Sequence, residues 1–404
     1  MIEINGRGIE PHSCRFVHKE KASSTVLFIF VVLVWSACCK SQKSNASVEV
    51  IDGVEFIHNT ETPMYPNKTV SFVEDLSISG EDSDGEIVLF NPSLSLVDDN
   101  ENIYISETQD QVIKIFDSDG EYIKTLGAKG NGPGEFQRIW KLGATKDGEL
   151  VALDIIAKRT SFFDSSGQFL NSFNWKVDYF TYILVKSSSY IVGERAYPGI
   201  RPNAFYYVKE FDFDGNEVRS YGEFKMFDSL IIQDGGRPTY TGYPVSPRSV
   251  FTGDHDRELF YHCLNNKYTI EVYDDSGKLF RKIDRPYKPV PFTNKDTEEY
   301  RAMYKTPEWV KKAIENMKMP KAKSIVIRMY VDDESNLWIR TNEKKEEEDK
   351  ILTAFDIFNP DGHYYAKIWT EFTSLVFKKG KMYRMDTDQD TGYHTLKRYK
   401  VVWE

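Results

Sequence analysis

Five segments of the chain repeat one short pattern: an apolar or aromatic strand, a cluster of Asp, Asn or Ser, a glycine, then a second strand. They read KIFDSDGEYI (114–123), SFFDSSGQFL (161–170), EFDFDGNEV (210–218), EVYDDSGKLF (271–280) and DIFNPDGHYY (356–365). Glycine supplies the positive φ of a tight turn and the Asp or Asn side chain bonds the turn backbone, so each segment predicts a β-hairpin. A second pattern, a polar turn followed by a strand, precedes each one. Its copies are DDNENIYIS (98–106), TKDGELVAL (145–153), SSSYIVGE (187–194), DHDRELFYH (254–262), DDESNLWIR (332–340) and a sixth, KKGKMYRMD (378–386). Alternating the two gives about four strands per repeat at a period of roughly forty to fifty residues, the spacing of propeller blades.

The last repeat ends at YHTLKRYKVVW (393–403), where its own final hairpin should begin. Its fourth strand must therefore come from the start of the domain, KTVSFVEDLSI (68–78), and that pairing closes the ring without an open sheet edge. The expected fold is all-β: a six-bladed β-propeller over residues 67–404, built of four-stranded antiparallel blades with an N-terminal strand closing the last. A short helical insertion over about 293–320 is expected before blade five. One helix there is capped near Thr293, and the next starts with Thr306 as cap and Pro307 at the first helical position. The composition agrees, with aromatics at 14%, 24 Tyr and 26 Phe in 404 residues, a bias that suits sheets. The formal net charge of -10 is spread along the chain. It repels phosphate backbones and excludes nucleic acid as the expected partner.

The N-terminus reads as an address. Residues 26–35, VLFIFVVLVW, follow Arg15, Lys19 and Lys21 and precede Ser36, Ala37 and Cys38. A basic region, a short apolar run and small residues describe a signal peptide over 1–37. Ten apolar residues are too few to cross a bilayer comfortably. With Cys38 directly after Ser36-Ala37, the segment resembles a bacterial lipoprotein signal in which Cys38 takes the lipid; Cys39 is the alternative acceptor. Trp35 departs from the usual Leu or Val, and plain secretion or an uncleaved anchor are the other readings. Residues 38–66 are polar and read as a tether.

IKTLGAKGNGPGEF, DGELVALD and RTSFFDSSGQFL together resemble the NHL-type repeat. More closely, the chain resembles the six-bladed β-propeller lipoproteins of Bacteroides and its relatives. The resemblance covers residues 67–404, closely only in the first two blades. It implies the fold, export and a place in the envelope of a Gram-negative bacterium, lipid-anchored on the periplasmic side or the outer surface. It implies little chemistry.

Labelling the strands of a blade a to d outward from the axis puts the short a–b and c–d turns on one face. The b–c and d–a connections fall on the other, and every long insert is among them: ERAYPGIRPN (194–203), TNEKKEEEDK (341–350), QDGGRPTYTGYPVSP (233–247) and the helical stretch 287–322. Inserts gathered on one face of a repeat fold mark its binding face. The residues there suited to recognising a glycan, a peptide or an envelope protein are Arg138, Trp140, Arg195, Tyr197, Arg201, Arg237, Tyr240, Tyr243 and Arg248. Tyr and Trp give flat contact area and Arg gives forked donors.

Signals for catalysis are weak. His58, His255, His262, His363 and His394 are scattered, with no HxH or HExxH pair, and no metal or cofactor is expected. Glu107, Asp154, Glu194 and Asp386 recur at the ends of b strands. A repeated position is first a structural one, although paired carboxylates could serve glycoside cleavage. The expectation is thus a binding protein, more so than an enzyme. A lyase or hydrolase acting on a glycan or peptide in the axial funnel of the same face is the alternative. GAKGNGPGEFQ (127–137) has the glycines of a phosphate loop, but a strand rather than a helix follows it. It reads as the crossing between the first two blades, with Phe136 anchored between sheets.

Overall fold

Asp117 shows how the repeated turn works. Its carboxylate accepts from the backbone N–H groups of Asp119 and Glu121, both at 2.9 Å. Gly120, at φ +85°, turns the chain back toward Asp117. Asp164, Asp212 and Asp274 make the same pair of bonds, and each is followed by a left-handed glycine, Gly167, Gly215 and Gly277. The ladder slips by one residue beside each turn, as between Ile115 and Phe116. The connection is therefore a bulged hairpin, not a bare two-residue turn.

The computed structural model describes residues 46–404 apart from 80–88, 90–91, 177–179, 197–202, 235–236, 243, 304–307, 316 and 389–391. The hairpins assemble into six sheets around an axis. Blade one holds Pro92–Val97, Ile103–Glu107, Val112–Phe116 and Tyr122–Leu126. Blade two holds Ile139–Ala144, Leu150–Asp154, Arg159–Phe163 and Phe169–Asn174. Blade three holds Phe180–Val185, Ser189–Ala196, Asn203–Asp212 and Glu217–Asp234, with Arg237–Gly242 as a fifth strand. Blade four holds Ser249–Asp254, Leu259–Leu264, Thr269–Tyr273 and Leu279–Asp284. Blade five holds Val326–Val331, Leu337–Glu347, Lys350–Phe358 and Tyr364–Thr370. Blade six holds Val376–Lys378, Lys381–Thr387, His394–Trp403 and, from the N-terminal side, Val70–Ser79. That closing strand pairs antiparallel from Val70 opposite Trp403 to Ser79 opposite Thr395, as the sequence requires. The first strands of neighbouring blades pack on one another, so they line the axis.

The apolar core is divided into six clusters, one for each interface between neighbouring blades. Phe136 is fully buried between blades one and two, against Tyr104, Ile115, Leu142 and Phe163. Phe224, from the later Gly-Glu-Phe, fills the matching place between blades three and four. Gly127 and Gly134, both at positive φ, shape the first of these crossings. Helix α1 (Asn294–Ala302) has Thr293 as N-cap in a capping box with Asp296, and α2 (Glu308–Glu315) follows. Both lie between blades four and five; Thr306 and Pro307 are outside the described residues. Among the described residues no helix is long and apolar enough to cross a membrane.

Three segments differ from the sequence reading. Within the expected tether, Ser47–Ile51 and Val54–His58 form a hairpin, and its second strand adds in parallel to the outer edge of blade four, Ile57 opposite Ile283. The chain then runs along the rim of blade five, where Met64 N–H donates to Tyr364 O at 2.9 Å and Tyr65 N–H to Tyr365 O at 3.0 Å. Polar composition hid this segment, because an edge strand that buries only one side needs few apolar residues. Second, 341–350 is no loop. Its strands continue to Glu347 opposite Lys350, joined by Glu348 and Asp349 at φ +49° and +60°, the signs of a type I′ turn. Third, the long connection after blade three is a hairpin in which Asp234 faces Arg237. These last two inserts thus extend as two-stranded ribbons on the b–c and d–a side.

Candidate functional site

At the end of the short a–b turns lies a cavity of about 230 Å³, walled by Val97 and Asp99 of blade one, Leu142 and Thr145 of blade two, His255 of blade four and Lys378 of blade six. Residues from five blades meet there. Lys378 Nζ pairs with Asp99 across the junction that closes the ring. Burial pushes the Asp99 carboxyl up, but the Lys378 hydrogen bond and charge outweigh it and hold the group below its ordinary range. His255 Nε2 lies 2.9 Å from Ala144 O. A carbonyl only accepts, so Nε2 carries the proton in this contact. Nδ1 is buried without a hydrogen-bond partner, and Asp256 Oδ1 is 3.8 Å away. Asp98, also in the wall, is occupied by the turn itself: it accepts from Asn100 N–H, Asn102 N–H and Tyr104 OH at 2.8–3.0 Å.

At the opposite ends of the innermost strands, on the side of the ribbons, one device recurs in blades two and four. Asp154, at the end of its b strand, accepts from Gln137 N–H at 2.6 Å and Arg138 N–H at 3.1 Å. Asn265 does the same for Arg248 N–H at 2.9 Å. Each fixes the residue just before an innermost strand, and both arginine side chains are left exposed. Asp154 is therefore an architectural carboxylate. Glu194, engaged by Lys209 at 3.6 Å, and Asp386, paired with Arg384, are also committed to neighbours. Burial raises the Glu194 carboxyl, against the Lys209 charge.

Lys141 and Arg328 are each the third residue of the innermost strand of blades two and five. Both are exposed, with a half-buried residue before and a buried one after. Burial lowers the Lys141 ammonium below its ordinary value, and the charge of Arg328 lowers it further. Neither cation has a carboxylate partner among the described residues.

Of the residues expected to bind, Arg138 and Arg248 stand on that side. Trp140 does not: it packs half-buried into the core between blades two and three. Arg195 sits opposite Tyr206 in blade three, and Arg237 and Tyr240 lie on the ribbon strand Arg237–Gly242. Tyr197, Arg201, Tyr243, Cys38 and Cys39 are outside the described residues. The sequence reading missed Lys141, Arg328 and the His255 cavity. Their only local signal is a charged residue at an alternating position of a first strand, or directly after one.

Among the described residues no cluster of three His, Cys, Asp or Glu could hold a metal ion. The buried Cys263 thiol is pushed up by burial and, to a smaller degree, by Glu271.

The fold has solved counterparts. A member of the DUF4221 family from Bacteroides vulgatus superposes with a TM-score of 0.50 at 10% identity, covering 82% of this chain and 98% of its own. A proposed exported protein from Bacteroides fragilis gives 0.50 at 11% identity, covering 85% and 99%. At such identities the likeness is one of fold. No curated protein matches the sequence. The model of the DUF5128 family, described as a 6-bladed beta-propeller, matches residues 89–361, more than half of the chain, and the chain belongs to that family.

Proposed function

We propose that this propeller is an exported binding protein that engages a glycan, a peptide or another envelope protein through the face bearing the ribbons. One observation carries the reading: among the described residues, two long hairpins run beyond the basic four-stranded blade on the b–c and d–a side. The blade-five hairpin Leu337–Phe358 and the blade-three hairpin Glu217–Gly242 are the described examples. Extensions collected on one face of a repeat fold are where such proteins place recognition. Similarity to the proposed exported protein from Bacteroides fragilis supports export. Lipid attachment at Cys38, with Cys39 as alternative, completes the reading. Binding is favoured over a lyase or hydrolase because the carboxylates Asp154, Glu194 and Asp386 are each engaged by backbone amides or a neighbouring cation.

A thermal-shift screen of the full chain against glycans and peptides tests the face. At least one compound should raise the midpoint, and replacing the hairpin tip 344–351 by a short turn should abolish that rise. A screen with no shift, or shifts indifferent to the tip, would sink the reading.

A further inference from the structure

The cavity at the a–b turns is lined from the ends of the innermost strands of blades one, two, three and six, and by His255, which directly follows that of blade four. A space shared by five of the six blades lies at the centre of the ring. His255 reaches past the neighbouring blade: its Nε2 donates to Ala144 O of blade two at 2.9 Å, skipping blade three. Lys146 Nζ of blade two donates back to Asp256 O of blade four at 3.3 Å. The imidazole is thereby braced across the ring, with one edge on the cavity.

The other polar side chains of the wall are accounted for. Lys378 pairs with Asp99. Asp98 accepts from two backbone N–H groups, from Asn102 Nδ2 and from Tyr104 OH, and Thr145 Oγ1 accepts from Glu149 N–H at 3.1 Å. His255 Nδ1 is buried without a hydrogen-bond partner, and Asp256 Oδ1, at 3.8 Å, is too far to be one. Beside it the wall is apolar, with Leu142, Leu184 and Val185 all buried. A largely apolar pocket with one orphaned polar atom is built to hold a ligand of the same pattern.

From this geometry we propose that the cavity binds a small neutral alcohol, an apolar body whose hydroxyl bonds His255 Nδ1. A hydroxyl both donates and accepts, so it satisfies the nitrogen in either protonation state. Asp99 and Lys378 already neutralise each other, so an ionic ligand would enter without a counter-charge or split that pair. An apolar cavity of about 150 Å³ holds benzene, so about 230 Å³ admits one substituted ring and excludes a fused pair. The site lies at the far end of the ring from the ribbons and is independent of their reading.

Ligand-observed NMR titration of the full chain tests this with benzyl alcohol, toluene, benzylamine, benzoate and naphthalenemethanol. Benzyl alcohol should bind about fivefold or more tighter than toluene and about tenfold or more tighter than either ion. Naphthalenemethanol should not bind. In protein with isotopically labelled histidine, benzyl alcohol should move the His255 Nδ1 signal, identified by its loss in His255→Phe, and toluene should not. In that variant benzyl alcohol should fall to the level of toluene, whose continued binding certifies the cavity. If the variant binds neither, the Nδ1 signal of the parent decides. No binding of benzyl alcohol, or binding that leaves Nδ1 unmoved, overturns the proposal. So does an alcohol preference kept by His255→Phe, binding of an ion as tight as that of the alcohol, or binding of the fused ring. Loss of the 344–351 tip should change none of these results, which separates failure here from failure of the ribbon reading.

Discussion

Arg285 and Asp356 form an ion pair inside the wall between blades four and five, with Nη2 and Nε of the guanidinium 2.7 and 3.2 Å from one carboxylate oxygen. Both side chains are almost fully buried. Tyr268 OH donates to Oδ2 at 2.6 Å and Tyr364 OH to Oδ1 at 2.7 Å, and the guanidinium lies over both rings. Burial works against the Arg285 charge, but Asp356 more than compensates and raises its pKa.

Removing either partner strands the other charge. Asp356→Ala and Arg285→Ala should each destabilise the protein by about 3–5 kcal/mol. The double variant should cost clearly less than their sum, because the pair is coupled. Chemical denaturation of the four proteins measures this, and additive losses would show that the two residues act independently.

His58 makes the N-terminal hairpin sensitive to pH. Its Nε2 lies 3.1 Å from Glu49 and its Nδ1 3.0 Å from Asp284, and these hydrogen bonds, the Glu49 bond foremost, raise its pKa above the ordinary 6.5. A raised pKa means that the folded hairpin favours the protonated ring. The contribution is complete below about pH 6.5 and is lost as pH rises through the higher folded value. Hydrogen exchange over 47–58, corrected for its intrinsic pH dependence, should accelerate between pH 6 and pH 8.5. His58→Gln should remove that change.

Gly127 tests the inter-blade crossing. Its φ is +82°, and a Cβ there would stand 2.5 Å from Phe136 Cε2, a ring held on all sides. Gly127→Ala should cost about 2–4 kcal/mol, from left-handed backbone strain plus overpacking. Gly222, at φ +103° with open space around it, is the control: Gly222→Ala should cost only the backbone part, about 1–2 kcal/mol. Equal losses would remove the packing argument.

Ser335 occupies the left-handed position of an a–b turn, φ +60°, where Gly148 stands in blade two at φ +82°. Its N–H still closes the turn to Asp332 O at 3.0 Å. Ser335→Gly should therefore stabilise by about 0.5–1 kcal/mol, and a lower denaturation midpoint would contradict this.

What the sequence made legible has a local cause. Asp117 and Gly120 need nothing beyond their own turn, so the hairpin code, and from it the blade count and the closing strand, can be read along the chain. The capping box of Thr293 and Asp296 is local for the same reason. The hairpin at Ser47–His58 was hidden because its pairing partner, Leu279–Asp284, lies more than two hundred residues away and the pairing is parallel. Trp140 is the opposite case: an aromatic beside a loop suggested recognition, and it packs half-buried against the interface between blades two and three.

The segment from Ser47 to Ser79 borders three blades in succession, adding strands to the outer edges of blades four and six and bonding along the rim of blade five. Asn59 ties the middle of this course by donating to Gly362 O at 3.0 Å and accepting from Tyr364 N–H at 2.7 Å. Tension drawn on the chain ahead of Ser47 would therefore enter the molecule at the rim of blade four and travel circumferentially. It would peel the outer hairpin one residue pair at a time before it reached the parallel ladder. The strand that locks the ring would be the last to feel the pull, so the propeller is strain-relieved against a pull on its N-terminal side in the way a cable is wound round a post before it is tied.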